Sequence, residues 1–215
     1  ENPETLLRML LIHLADGCSL RETAVRARYG NIASVSDVAL LKRLKASGEW
    51  FRWMAVGVME RWVEKPPAAI FGNDLRIRIT DGTTVQEPGA TGSTWRIHYS
   101  IGLPSLQCDE VYVTSPELGE SFCRFTVRPG DLFLGDRGFA NRAGVHHVVN
   151  GGGQVLVRIN LTNLPLVDKK GLPFPLLEYL GTLTKTKLGD WNVWVPYEKT
   201  RISGRVCALK KSKEA

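Results

Sequence analysis

The chain has 215 residues, 43% of them hydrophobic, with a formal charge of +6 at pH 7 and a pI near 9.3. That length accommodates one large domain or two to three small ones, and the charge favours an anionic partner without naming it. The four cysteines (Cys18, Cys108, Cys123, Cys207) form no C-x-x-C pair, which argues against a zinc site or disulfide framework and fits a reducing cytoplasm.

Residues 4–65 read as helical. Leu6, Leu7, Leu10, Leu11 and Leu14 fall at helical spacing, and Gly17 can end that helix. The same run is broken by Arg8 and His13 and is far short of the roughly 20 apolar residues a membrane span needs; no signal peptide is visible. Ser19-Leu-Arg-Glu22 has the form of a capping box and starts a second helix, closed by Gly30. A third begins near Ser36-Asp37 with Val38, Leu41 and Leu44 on one face. It runs on, or breaks at Gly48 and restarts, through Trp50, Met54, Val58 and Trp62, until Pro66-Pro67 removes the backbone donors it needs. Trp50, Trp53 and Trp62 are expected in the core between helices.

Beyond the prolines the period becomes two. Leu75, Ile77 and Ile79 alternate with Arg76, Arg78 and Thr80 in a strand ending at Asp81. After a loop at 86–93, Trp95, Ile97, Tyr99 and Ile101 alternate with Arg96, His98 and Ser100. Val111–Val113 forms a third strand, and the three suggest an antiparallel meander. Residues 116–125 read as a helix and 131–135 as a strand ending at Asp136. Asn141 caps a helix to about Val149, and Gly151–Gly153 leads into a strand over 154–159. The pattern predicts an α/β fold with a mixed sheet and helices on its faces. Residues 161–215 are rich in Pro, Gly, Lys and Thr, with strands near 190–195 and 205–209. They read as a small β-rich module. The first residue is Glu and the last six are Lys-Lys-Ser-Lys-Glu-Ala, so both ends read as truncated.

Ile-Thr-Asp-Gly-Thr (79–83) and Leu-Gly-Asp-Arg-Gly-Phe (134–139) each set one Asp after an apolar strand pattern and near a glycine. Reactive groups of α/β sheets collect at the carboxyl ends of parallel strands. Two carboxylates meeting there repel unless a cation lies between them. Mg²⁺, or Mn²⁺ in its place, suits such a pair because it takes one or two carboxylates plus phosphate oxygens. Taken singly, each Asp also suits a plain turn before glycine.

Five phrases carry a resemblance: Ser-Leu-Arg-Glu-Thr-Ala (19–24), Ser-Asp-Val-Ala-Leu-Leu-Lys-Arg-Leu (36–44), Asp-Gly-Thr-Thr (81–84), Trp-Arg-Ile-His-Tyr (95–99) and Gly-Asp-Arg-Gly-Phe-Ala (135–140). In this order they resemble the bacterial DDE transposases of the insertion-sequence 4 group, over most of residues 4–160. The resemblance implies an RNase H-like catalytic core in which Asp81 and Asp136 are the first two metal-binding aspartates. The three short helices of 4–47 with their Gly-containing turn read as helix-turn-helix-like, within an N-terminal DNA-binding domain over 1–65; the resemblance implies the first part of the core over 66–160 and a β-rich insertion over 161–215. The family's catalytic Glu lies in a Y-x-x-R-x-x-x-E-x-x-x-x-x-x-K helix after that insertion. Glu178 and Glu198 lack this spacing, so the third carboxylate is expected beyond Ala215, and the fragment alone is expected to be inactive.

Further candidates each carry two readings. Lys42, Arg43 and Lys45 on the third helix would face DNA phosphates or base edges, or make an ordinary solvated face. Arg96 and His98 would hold a phosphate beside Asp81, or pair across strands. Arg137 would neutralise phosphate charge, or partner Asp136. Trp191 and Trp194 lie on opposite faces of one strand; one would stack on an unpaired base, or both would pack under the insertion. The function implied is metal-dependent cleavage at transposon ends and strand transfer into target double-stranded DNA. It would be carried out by a homodimer in a synaptic complex at the bacterial nucleoid. The alternatives are a non-catalytic transposase remnant that binds DNA as a repressor, and an RNase H-like nuclease without strand transfer.

Overall fold

The computed structural model describes residues 2–61, 75–87, 89–103, 105–184 and 188–210. Trp62 and Pro66-Pro67 lie outside them. The chain falls into two compact units, one built on the N-terminal helices together with Thr84–Arg96, the other on the remaining sheet residues and a C-terminal hairpin.

The helical unit contains α1 (Pro3–Leu14), α2 (Leu20–Tyr29), α3 (Asp37–Ala46) and α4 (Gly48–Arg61). Local chemistry sets their ends. Ser19 Oγ accepts the Glu22 N–H at 3.2 Å, and Ser36 Oγ accepts the Ala39 N–H at 3.1 Å. Glu22 does not complete the reciprocal box but pairs forward with Arg26 at 2.9 Å. Gly17, at φ +67°, takes the left-handed turn between α1 and α2. The third helix does break, at Ser47, whose hydroxyl donates back to the Arg43 carbonyl at 2.7 Å. Met9, Leu10, Ala27 and Leu40 form the core, with Leu44, Trp50 and Phe51 against it. Trp53 departs from expectation: it is 71% exposed, because α4 turns that side away from the α1–α3 core.

The second unit centres on a mixed five-stranded sheet of order β3-β2-β1-β4-β5. The strands are β1 (Arg76–Val85), β2 (Trp95–Leu103), β3 (Gln107–Thr114), β4 (Asp131–Gly135) and β5 (Gln154–Val157). The first three are neighbours in chain order, as in a meander. β1 pairs in parallel with β4, and β4 with β5. The expected helix over 116–125 is absent; only a 3-10 turn, Phe122–Arg124, forms there. Gly119 and the serines on either side favour turns, and Ser121 Oγ takes the Cys123 N–H at 3.3 Å. The turn sends Phe122 and Phe125 inward beside Phe133, Phe139 and Val148.

One helix, α5 (Arg142–Asn150), joins β4 to β5, capped by Asn141, whose Oδ1 accepts the Gly144 N–H at 2.8 Å. Its Val148 enters the phenylalanine core. Its Val145 enters a second core with Leu164, Leu166, Val193, Val195 and Ile202. The last three come from the hairpin β6 (Gly189–Tyr197) and β7 (Thr200–Ala208), which pair antiparallel. A short helix not foreseen, α6 (Leu176–Gly181), precedes the hairpin.

Much of the polar side of β1 and β2 is buried, against the expected orientation. Arg78, Thr80, His98 and Ser100 are all 2% exposed or less, whereas Ile79 is 36% exposed; at the start of β1 the order is the usual one, with Ile77 buried and Arg76 exposed. Arg78 organises that layer. Its guanidinium meets Asp109 at 2.9 Å, Glu110 at 2.7 Å and Asp131 at 3.5 Å, donates to the Thr126 carbonyl at 2.6 Å, and lies 4.6 Å from the Phe133 ring centroid. A buried cation is tolerable when carboxylates and acceptors surround it in this way.

Candidate active site

Asp81 and Asp136 reach one place through the parallel pairing of β1 and β4. The register joins Arg76 to Asp131 and Ile79 to Leu134, and the same offset sets Asp81 level with Asp136. Parallel neighbours lie about 4.8 Å apart, so this offset, continued two residues past the last pair, brings the two backbone positions to neighbouring places on the sheet. Both residues are exposed. Asp136 directly follows β4, as expected. Asp81 does not end its strand: β1 continues to Val85.

The backbone fixes one oxygen of each carboxylate. Asp81 Oδ1 accepts the Gly82 N–H at 2.8 Å, and Asp136 Oδ1 accepts the Gly138 N–H at 2.7 Å. Asp81 Oδ2 accepts the hydroxyl of Tyr99 at 3.2 Å. Burial first, and then the Asp81 carboxylate beside it, raise the Tyr99 hydroxyl above its ordinary pKa, so at neutral pH it holds its proton and donates.

The glycines of the two Asp phrases make room for a third acidic side chain. A Cβ on Gly82 would stand 3.0 Å from Glu120 Oε1. One on Gly138 would stand 1.9 Å from Glu120 Oε2 and 3.1 Å from Asp136 Oδ1. Glu120 is held there by packing around it: Asn141 Nδ2 donates to its carbonyl at 3.4 Å, and Phe122 two residues on is fully buried. The sequence assigns a site role to neither Tyr99, which it sets on an apolar strand face and in the 95–99 phrase, nor Glu120, which it sets in a helix that does not form.

Two hard oxygen donors side by side fit a cation of the Mg²⁺ type, which completes its shell from water or phosphate. Among the described residues, no group of three or more His, Cys, Asp or Glu side chains is arranged to hold a metal ion. The same residues provide no ion pair to either Asp81 or Asp136.

The remaining candidates are scattered. Arg137 is exposed next to Asp136 and forms no ion pair with it. Arg96 is half-buried. His98 is fully buried, with its Nε2 3.0 Å from Thr114 Oγ1, so it presents no surface to DNA. Lys42 and Lys45 are exposed on α3, and Arg43 is half-buried. Trp191 and Trp194 are both half-buried. Trp191 faces the hairpin core and packs on Tyr179 at 5.5 Å between centroids, and the backbone of Trp194 exchanges hydrogen bonds with Val167.

No protein-family model matches the chain, and no solved structure does. Curated proteins do. The chain is 30% identical over 203 residues to InsL of insertion sequence element IS186A from Escherichia coli K12, covering 93% of this chain and 54% of that protein. It is 30% identical over 204 residues to the transposase for insertion sequence element IS421 from Escherichia coli, with the same coverage of each. The chain thus spans about half the length of the curated relatives it matches. No helix among the described residues is long and apolar enough to cross a membrane. By sequence, the chain is a relative of bacterial insertion-sequence transposases, aligned with them along nearly all of its own residues.

Proposed function

We propose that this chain is part of a DDE transposase with an RNase H-like core, acting on double-stranded DNA in the bacterial cytoplasm. The observation that carries the reading is the register of β1 and β4, which sets Asp81 level with Asp136 on adjacent parallel strands. Two carboxylates so placed belong to divalent-metal phosphoryl transfer, in which catalysis is mostly positioning and electrostatics. When bound, Mg²⁺ or Mn²⁺ supplies Lewis-acid stabilisation of charge on the phosphate oxygens. Asp81 and Asp136 hold it, and a third carboxylate from the longer protein completes the set. Arg137, exposed beside Asp136, lies where it can meet a backbone phosphate. Lys42 and Lys45 form the exposed basic edge of α3 in an N-terminal DNA-binding domain, and two copies act together at the element ends.

In the full-length protein, Asp81→Asn and Asp136→Asn each remove a metal ligand. Each is expected to abolish cleavage of substrates carrying the element ends while leaving their binding intact in a gel-shift assay. Vigorous cleavage by either variant would overturn the assignment.

A further inference from the structure

We infer that Tyr99 is the positioning residue of Asp81, a role that rests on the metal-site reading above. Tyr99 belongs to β2 and Asp81 to β1, adjacent strands of the sheet. The Tyr99 ring is half-buried, and its hydroxyl donates to Asp81 Oδ2 at 3.2 Å. The other oxygen of the same carboxylate already accepts the Gly82 N–H. Asp81 is therefore held at both oxygens, one by its own turn and one by a side chain 18 residues away.

This arrangement has a consequence for a cation. An exposed aspartate otherwise samples several rotamers, and a ligand held in one of them loses less freedom when the metal arrives. Metal ligands oriented through a hydrogen-bonded partner typically lose ten- to a hundredfold in affinity when that partner is removed. Among the described residues, the Asp136 side chain has no such donor beyond the Gly138 N–H. The two ligands are therefore held unequally, and Tyr99 matters for Asp81 alone.

The test is titration of the full-length protein with Mn²⁺, followed by electron paramagnetic resonance of the free ion. Wild type, Tyr99→Phe, Asp81→Asn and Asp136→Asn are compared at matched helix and sheet content by circular dichroism. Tyr99→Phe keeps the ring and is expected to weaken Mn²⁺ binding by about tenfold, with the thermal midpoint little changed. Replacing Tyr99 with 4-aminophenylalanine, which restores a donor on the ring, is expected to recover most of that loss. If Asp81→Asn abolishes binding while Tyr99→Phe matches wild type, the positioning role fails and the aspartate pair stands. If Tyr99→Phe weakens binding but the amino analogue recovers nothing, the hydrogen bond is not the cause and the proposal also fails. If the full-length wild-type protein, titrated in the same way, binds no Mn²⁺ at all, the two-carboxylate reading falls, and the role of Tyr99 with it.

Discussion

At the scale of single residues, the informative contrast is between the two kinds of charge in the sheet. Asp81 and Asp136 are exposed and lack cationic partners among the described residues, as suits groups that wait for a ligand. Arg78 is 1% exposed and surrounded by Asp109, Glu110 and Asp131. Removing one member of a buried ionic cluster strands the others. Arg78→Met is therefore expected to cost about 3 kcal/mol or more, read as a lower urea midpoint. An unchanged midpoint would mean that Arg76, which meets Asp131 at 2.5 Å, suffices to hold that carboxylate. Nothing in the period-two pattern around Arg78 shows this, since an arginine alternating with isoleucine reads as a solvated face.

At the scale of elements, turn chemistry was legible and the packing of turns was not. Ser19, Ser36 and Asn141 cap the helices their spacing indicates, because a cap is a contact between residues two or three apart. The stretch 116–125 was misread because its apolar residues are held by partners remote in sequence, Phe133 and Phe139 among them. Gly135 shows how tight that packing is: a Cβ there would stand 2.8 Å from both Phe122 Cζ and Phe139 Cβ. Gly135→Ala is expected to destabilise the sheet unit by roughly 1–3 kcal/mol in chemical denaturation, the usual range for overpacking a core. On α3, the exposed Lys42 and Lys45 pose a simpler question. If they contact phosphates, Lys42→Ala with Lys45→Ala lowers DNA affinity across sequences. It also reduces the slope of log K against log salt by about 0.9 per lost contact. A slope equal to wild type would mark them as a solvated face.

At the scale of the molecule, one ionic layer links three strands of the sheet, β1, β3 and β4, and that makes its stability depend on pH. Burial would raise the pKa of Glu110, but the Thr126 N–H, the Tyr112 hydroxyl and Arg78 outweigh it and hold the carboxyl below its ordinary value. A carboxylate with a lowered pKa in the folded state stabilises the fold at pH values above its unfolded pKa. That contribution is lost as pH falls through the folded one. Stability is thus expected to be level near neutrality and to drop below about pH 4.5, the ordinary value for Glu. Urea midpoints measured from pH 7 to pH 3 check this, and Glu110→Gln should flatten the acid limb.

The sequence alone determined the helical N-terminal region, the approximate strand positions and the kinship with insertion-sequence transposases. These follow from periodicity, capping and short ordered phrases, all of which are local. Only the tertiary structure decided which face of β1 and β2 turns inward, that Asp81 lies within its strand, that His98 is buried, and that Tyr99 and Glu120 stand beside the aspartates. Alternation along a strand defines two faces without saying which one is covered. That choice belongs to groups far along the chain, such as Asp131, which is fully buried and meets the buried Arg78 at 3.5 Å.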